Sequence, residues 1–314
     1  MNPENMNTRF INLHGYSDCI EVVRGDARMV LEPNCGGRIL QYEYKGVNAL
    51  YVDPAEAGYR LSAGKPHPSP FGPGAGRSDI GPEFTTVPHP ELWLGKWSAN
   101  IGREGTVELT SAHDYQTGVQ LTREFSLEQN FAKLKFTQTI LNIDESPRKY
   151  FHWSRTLCTG GGIAIAPINE ESRYPRGYIT YGPGEVLNYL PAPEANVIVG
   201  DGLLQICGPG SAKRFAMDLS EGWLAYITRD SRLFIKKFPV YPGGIYGELA
   251  SNNMFFRYEA EETCGIESIG PLENIAPSFD ASFTETWYLM EFEYPGRMPV
   301  KESSIRKIID ILVM

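Results

Sequence analysis

The sequence predicts an all-β protein built of large antiparallel sheets, with one helix at the C-terminal end packed on its outside. Three observations predict it. Apolar and polar residues alternate with period two along most of the chain. Glycine and proline are frequent, 32 and 23 of 314 residues, as tight turns between many strands require. Helical spacing occurs in one segment alone.

The segment "FAKLKFTQTILN" (131–142) sets the pattern. Ala132, Leu134, Phe136 and Ile140 share one face, while Lys133, Lys135, Thr137 and Thr139 share the other, as in a half-buried antiparallel strand. "TGVQLTREFSL" (117–127) repeats it with Val119, Leu121 and Phe125. Further strands are predicted over 20–31, 36–45, 104–112, 149–157, 202–207, 214–218, 223–228, 232–238, 254–260, 263–269 and 283–293. Turn clusters such as "GPGS" and "YPGG" separate some of them. Residues 53–103 are rich in Pro and Gly and weakly periodic, which predicts an ordered, functional loop region. In "ESSIRKIIDILV" (302–313), Ser303 or Ser304 can cap a helix whose Ile305, Ile308, Ile309 and Leu312 form one stripe. No repeat or low-complexity linker interrupts the chain, so one domain over 1–314 is expected.

Composition narrows the function classes. A content of 42% hydrophobic residues supports a core. The net charge of −9, with no basic run, argues against a nucleic-acid partner. No apolar run approaches the roughly 18 residues that span a bilayer, and the N-terminal stretch lacks the pattern of a secretory signal. Five cysteines without CxxC spacing suggest reduced thiols in a cytoplasmic protein rather than a disulfide framework or zinc site. No nucleotide or metal motif occurs. The acidic side chains between 79 and 91 lack ligand spacing, so neither metal nor cofactor is expected. Oligomeric state is left at monomer or homodimer.

Two strands carry the chemistry expected from residue type. In "TCGIESI" (263–269), Gly265, Glu267 and Ile269 share a face, and the glycine leaves room beside a carboxylate in an apolar setting. A solvated surface Glu is the alternative. In "RKYFHWSRTLC" (148–158), His152 shares a face with Tyr150, Ser154 and Thr156, opposite Phe151, Trp153, Arg155 and Leu157. With Trp153 packed between sheets, His152 points to the open face and is the best available proton donor. A structural histidine is the alternative.

Three segments resemble the galactose mutarotase (aldose 1-epimerase) superfamily, in particular a branch described as a domain of unknown function. They are "LEPNCGGRILQYEYKGVNALY" (31–51), "LNIDESPRKYFHW" (141–153) and "CGIESIGPLENIAP" (264–277). The resemblance implies an antiparallel β-supersandwich, a small carbohydrate as ligand, Glu267 as catalytic base and His152 as catalytic acid. It implies anomer interconversion of a sugar or sugar acid. A silent carbohydrate-binding protein, or a lyase or hydrolase using the same pair, is the alternative. "GAGRSD" (74–79) is similar to the segment that bears a sugar-binding arginine, which would be Arg77. The superfamily's Asn-His-x-Tyr-Phe-Asn pattern is replaced by "FHWSRT", and its His-Gly-Gly segment is missing, with His89 as a positional candidate for the second histidine. In the 74–100 loop, Trp93 and Trp97 are expected to stack on the sugar, and Arg77, Asp79, Glu83 and His89 to bond its hydroxyls or a carboxylate. Core anchoring of each tryptophan and a surface Arg77–Asp79 pair are the bland readings. Arg155 is a further substrate-binding candidate. So is Lys236 in "RLFIKKF", which the resemblance places on the sugar-binding face.

Overall fold

The computed structural model describes residues 6–70, 72–258 and 261–313. Along the chain the strands begin with β1 (Met6–Leu13), β2 (Tyr16–Arg24), β3 (Ala27–Glu32), β4 (Arg38–Tyr44), β5 (Val47–Asn48) and β6 (Gly76–Gly81). A short helix α1 (Pro90–Trp93) precedes β7 (Ser98–Ile101), β8 (Val107–Thr110), β9 (Val119–Leu127), β10 (Leu134–Asn142), β11 (Arg148–Thr159) and β12 (Ile163–Pro167). Then come β13 (Ile179–Tyr181), β14 (Leu187–Asn188), β15 (Val197–Gly200), β16 (Leu203–Cys207), β17 (Arg214–Met217) and β18 (Trp223–Ile227). The series closes with β19 (Arg232–Lys237), β20 (Met254–Arg257), β21 (Thr263–Ile269), β22 (Glu273–Ile275), β23 (Asp280–Glu291) and helix α2 (Glu302–Val313).

Among the described residues these strands form two antiparallel sheets, of thirteen and ten strands. The first runs β1-β2-β3-β4-β6-β11-β21-β20-β17-β13-β14, and the second β15-β16-β12-β18-β19-β23-β10-β9-β8-β7. Apolar side chains from both sheets, such as Met29, Ile39 and Ile266 against Leu121, Phe136 and Leu289, fill the layer between them. Helix α2 lays Ile305 and Ile309 on the far face of the second sheet, against Ile163, Ala225 and Ile235. The expected all-β architecture and outer C-terminal helix are both present.

The differences are local. Residues 20–31 make two strands rather than one, because Gly25, at φ +56°, and Asp26 turn the chain between β2 and β3. The strand expected over 254–260 is β20, ending at Arg257, and positions 259–260 lie outside the described residues. The 53–103 region holds a central strand, β6, paired to β4 and β11. Its sequence, Gly-Arg-Ser-Asp-Ile-Gly, offers too few apolar residues for alternation to be visible. Part of the remainder covers the outer face of the first sheet, where Tyr16, Val30, Leu40 and Leu94 pack together, while Leu92 and Trp97 enter the layer between the sheets and β7 edges the second sheet. All five cysteines are buried and free. No helix among the described residues is long and apolar enough to cross a membrane.

Candidate functional site

Four neighbouring strands place the site on the outer face of the first sheet. Arg155 of β11 stands opposite Arg77 of β6 on one side and Glu267 of β21 on the other. Two residues further along β21, Gly265 faces Arg257 of β20. Together Arg77, Arg155, Arg257, Gly265 and Glu267 line a small cleft. It opens beside a wider one of about 1060 Å³, lined by Tyr181, Glu185, Glu194, Lys213, Arg214 and again Arg257. The period of two makes this possible, since side chains in register on adjacent strands stand side by side.

Glu267 is 4% exposed and anchored. The indole Nε1 of Trp153 donates to its Oε2 at 2.8 Å, and Arg155 Nε lies 3.9 Å from the same oxygen. Burial alone would push its carboxyl up. The guanidinium groups of Arg155, Arg257, Arg214 and Arg77 outweigh burial and hold it below the ordinary glutamate range, so it is ionised at neutral pH. Arg77 responds in the opposite sense. Burial and the neighbouring Arg155 charge bring it down to about 9. Gly265 matters here because a methyl group on it would stand 3.3 Å from Glu267 Oε1 and 3.2 Å from Arg257 Cβ. The glycine keeps the carboxylate open to the cleft.

A second group borders the first. Asp79, two residues along β6 from Arg77 and hence about 7 Å away, accepts from His89 Nε2 at 2.8 Å. His89 Nδ1 faces the Val87 carbonyl at 2.7 Å. Two oxygen acceptors on one imidazole favour the doubly protonated ring. Burial works against that charge, but the Asp79 hydrogen bond and charge prevail and raise the histidine. Glu83, just past β6, reaches Arg155 Nη1 at 3.5 Å and Arg214 Nη2 at 3.9 Å, and its amide donates to Glu248. Trp93 borders this assembly, with the Arg77 guanidinium carbon over its ring, 5.6 Å from the centroid.

Of the residues expected at the site, Glu267, Arg77, Arg155, Asp79, Glu83, His89 and Trp93 are brought together. Three are not. His152 points between the sheets, stacked on Phe283 of β23 at 5.8 Å and accepting from Gln138 Nε2 at 3.3 Å. Burial drops it to about 3, so it is a neutral core histidine. The faces of β11 are the reverse of those expected, with Trp153 and Arg155 on the open side. Lys236 is likewise sealed between the sheets, donating to Ser154 Oγ at 2.9 Å and Thr156 Oγ1 at 3.1 Å, beside Glu285 at 3.4 Å. Trp97 is a core residue whose ring lies 4.2 Å from the buried Arg123 guanidinium, with Nε1 bonded to Leu92. Sequence reasoning missed Trp153, Arg214 and Arg257. The signal for the arginines was faint, since each stands at the end of a short apolar strand, Arg214 opening β17 and Arg257 closing β20.

The two facing sheets define a galactose mutarotase-like fold. A galactose mutarotase-like protein from Clostridium acetobutylicum superimposes with a TM-score of 0.61 at 10% identity, over 92% of this chain and all of the other. One from Lactobacillus casei ATCC 334 gives 0.59 at 8% identity, over 87% of this chain and 100% of that one. The Slr1438 protein from Synechocystis sp. PCC 6803 gives 0.58 at 14%, over 91% and 96%. No protein-family model matches the sequence, and no curated protein matches it. At these identities the likeness concerns the fold.

Proposed function

We propose that the protein binds a small carbohydrate in the cleft over Glu267 and interconverts its anomers by acid–base chemistry. One observation carries the reading: a buried carboxylate, kept ionised by surrounding guanidinium groups, lines a small cleft that shares Arg257 with a much wider one. Such a group is a ready acceptor for the proton of an anomeric hydroxyl. Loss of that proton, with protonation of the ring oxygen, breaks the bond between C1 and the ring oxygen and gives the open-chain carbonyl. Rotation about C1–C2 and reclosure deliver the other anomer. The imidazolium of His89 must turn from Asp79 or Val87 to give its proton to the ring oxygen, and Arg77 and Arg155 stabilise the developing oxyanion.

A second reading, carbohydrate binding without turnover, is favoured by one specific feature. Both ring nitrogens of His89 already have oxygen partners, and no histidine lines the cleft itself among the described residues. NMR exchange spectroscopy on a panel of aldoses and uronic acids separates the two. Faster anomer exchange that Glu267→Gln lowers by about 10²- to 10⁴-fold, with binding retained, supports the enzyme. Binding without faster exchange overturns it in favour of the binder.

A further inference from the structure

We infer that the ligand is a reducing oligosaccharide, its terminal anomeric hydroxyl at Glu267 and its further sugar units laid across the sheet in the wide cleft; this rests on the carbohydrate reading of the site. Strand register puts one row of residues beneath both clefts. Gly265 of β21 stands opposite Arg257 of β20, and Arg257 opposite Arg214 of β17. Arg214 in turn stands opposite Tyr181 of β13, and Tyr181 opposite Leu187 of β14. Partners in register stand side by side on the same face of a sheet. Gly265 and Arg257 line the small cleft, while Arg257, Arg214, Tyr181 and Leu187 line the wide one. The two clefts are successive parts of one trough that runs across the strands. From Gly265 to Leu187 it crosses four strand spacings, about 19 Å and several times the width of one pyranose ring.

The volumes divide the ligand in the same way. The small cleft has about 20 Å³ of space, enough for roughly one water-sized group. A hydroxyl enters it and a sugar ring does not. The wide cleft, at about 1060 Å³, matches the upper end of the roughly 300–1,000 Å³ that holds a whole organic ligand. One monosaccharide leaves most of it empty. Its lining is amphipathic, as an oligosaccharide is. Tyr189 and Val186 line it and are 47% and 65% exposed. The Tyr189 ring leans on Tyr174, with centroids 5.8 Å apart, and so forms a braced platform for the C–H face of a sugar. Asn188, Ser211 and Lys213 stand among these apolar groups and carry the polar atoms that hydroxyls need. Sugar units cover such apolar surface and bond such polar groups at once.

The test is calorimetric titration of the full chain with three series: glucose, maltose and maltotriose; glucose, cellobiose and cellotriose; xylose, xylobiose and xylotriose. In at least one series the disaccharide should bind about two- to tenfold more tightly than the monosaccharide, the gain from one aromatic contact. The methyl glycoside of that disaccharide, its anomeric oxygen capped, should bind more weakly than the free sugar. Tyr189→Ala and, separately, Val186→Ser should bring the ratio of disaccharide to monosaccharide affinity towards one, with thermal melts reporting that the fold is kept. Affinities within about twofold along every series that binds, a methyl glycoside as tight as the free sugar, or a ratio that both variants leave intact overturns the inference. Faster anomer exchange on monosaccharides with no gain from length sinks this inference alone. A gain from length without anomer exchange sinks the enzymatic reading alone. Binding by no member of any series sinks the carbohydrate reading, and this inference falls with it.

Discussion

Replacing Trp153 by Phe tests how Glu267 is kept ionised. The indole donates to the buried carboxylate at 2.8 Å, a kind of bond worth about 1.5–3 kcal/mol when the acceptor is charged and about 0.5–1.5 when it is neutral. Trp153→Phe removes the donor and part of the packing against Phe255. The packing loss does not depend on the state of Glu267, so a double-mutant cycle with Glu267→Gln subtracts it. What remains is the difference between charged and neutral acceptors, about 1–1.5 kcal/mol at neutral pH. The direction with pH follows from the depressed carboxyl. A group held lower in the folded than in the unfolded chain stabilises fully above its unfolded value and loses that contribution as pH falls through the folded one. The coupling should therefore be full at pH near 7, begin to decline around the ordinary glutamate value of 4.5, and vanish only once pH has fallen through the depressed folded value. Urea unfolding of the four chains, followed by far-UV circular dichroism at several pH values, reads it directly. A coupling under about 0.3 kcal/mol near neutrality, or one that ignores pH, would refute the argument.

The other expectations are briefer. Lys236→Met strands Glu285 in the interior and should cost about 3–5 kcal/mol, with Lys236→Met/Glu285→Gln recovering much of it; weaker sugar binding at unchanged stability would contradict its interior role. Gly265→Ala crowds Glu267 Oε1 and should weaken ligand binding about tenfold while the melting temperature barely moves; calorimetry and thermal melts together check it. His152→Asn should lower the melting temperature through the lost stack on Phe283 yet keep both limbs of the pH–rate profile, whereas loss of the alkaline limb would restore it as the acid.

Much of the architecture was legible because alternation needs no partner to be seen. The face of Glu267 followed from the same rule, and Gly265 marked the space beside it. The rule fails where both faces of a strand are buried. In β11 every residue from Tyr150 to Thr156 is buried, so alternation separated His152 from Trp153 without saying which side was inside. Lys236 illustrates the complementary failure. A lysine in a strand reads as exposed, and only Ser154, Thr156 and Glu285, remote in sequence, reveal that the interior receives its charge. The arginine cluster shares that obstacle, since its members come from strands separated by up to 180 residues and meet only through sheet order.

Arg123 gives the sandwich a property that apolar packing alone would not. Its guanidinium bonds the carbonyls of Gly36, Gly37 and Ser78 and the side chain of Gln138, and so ties β9 of one sheet to the turn before β4 and to β6 of the other. Greasy surfaces tolerate a slip of one residue, since another methyl group meets the next hollow. A charge whose acceptors sit at fixed carbonyls does not. Sliding β6 by a single step would carry the Ser78 carbonyl away and leave one N–H of a dehydrated cation without its acceptor, about 1–3 kcal/mol uphill. The joint between the layers is keyed rather than glued, and the key stands directly behind the strand that presents Arg77 and Asp79.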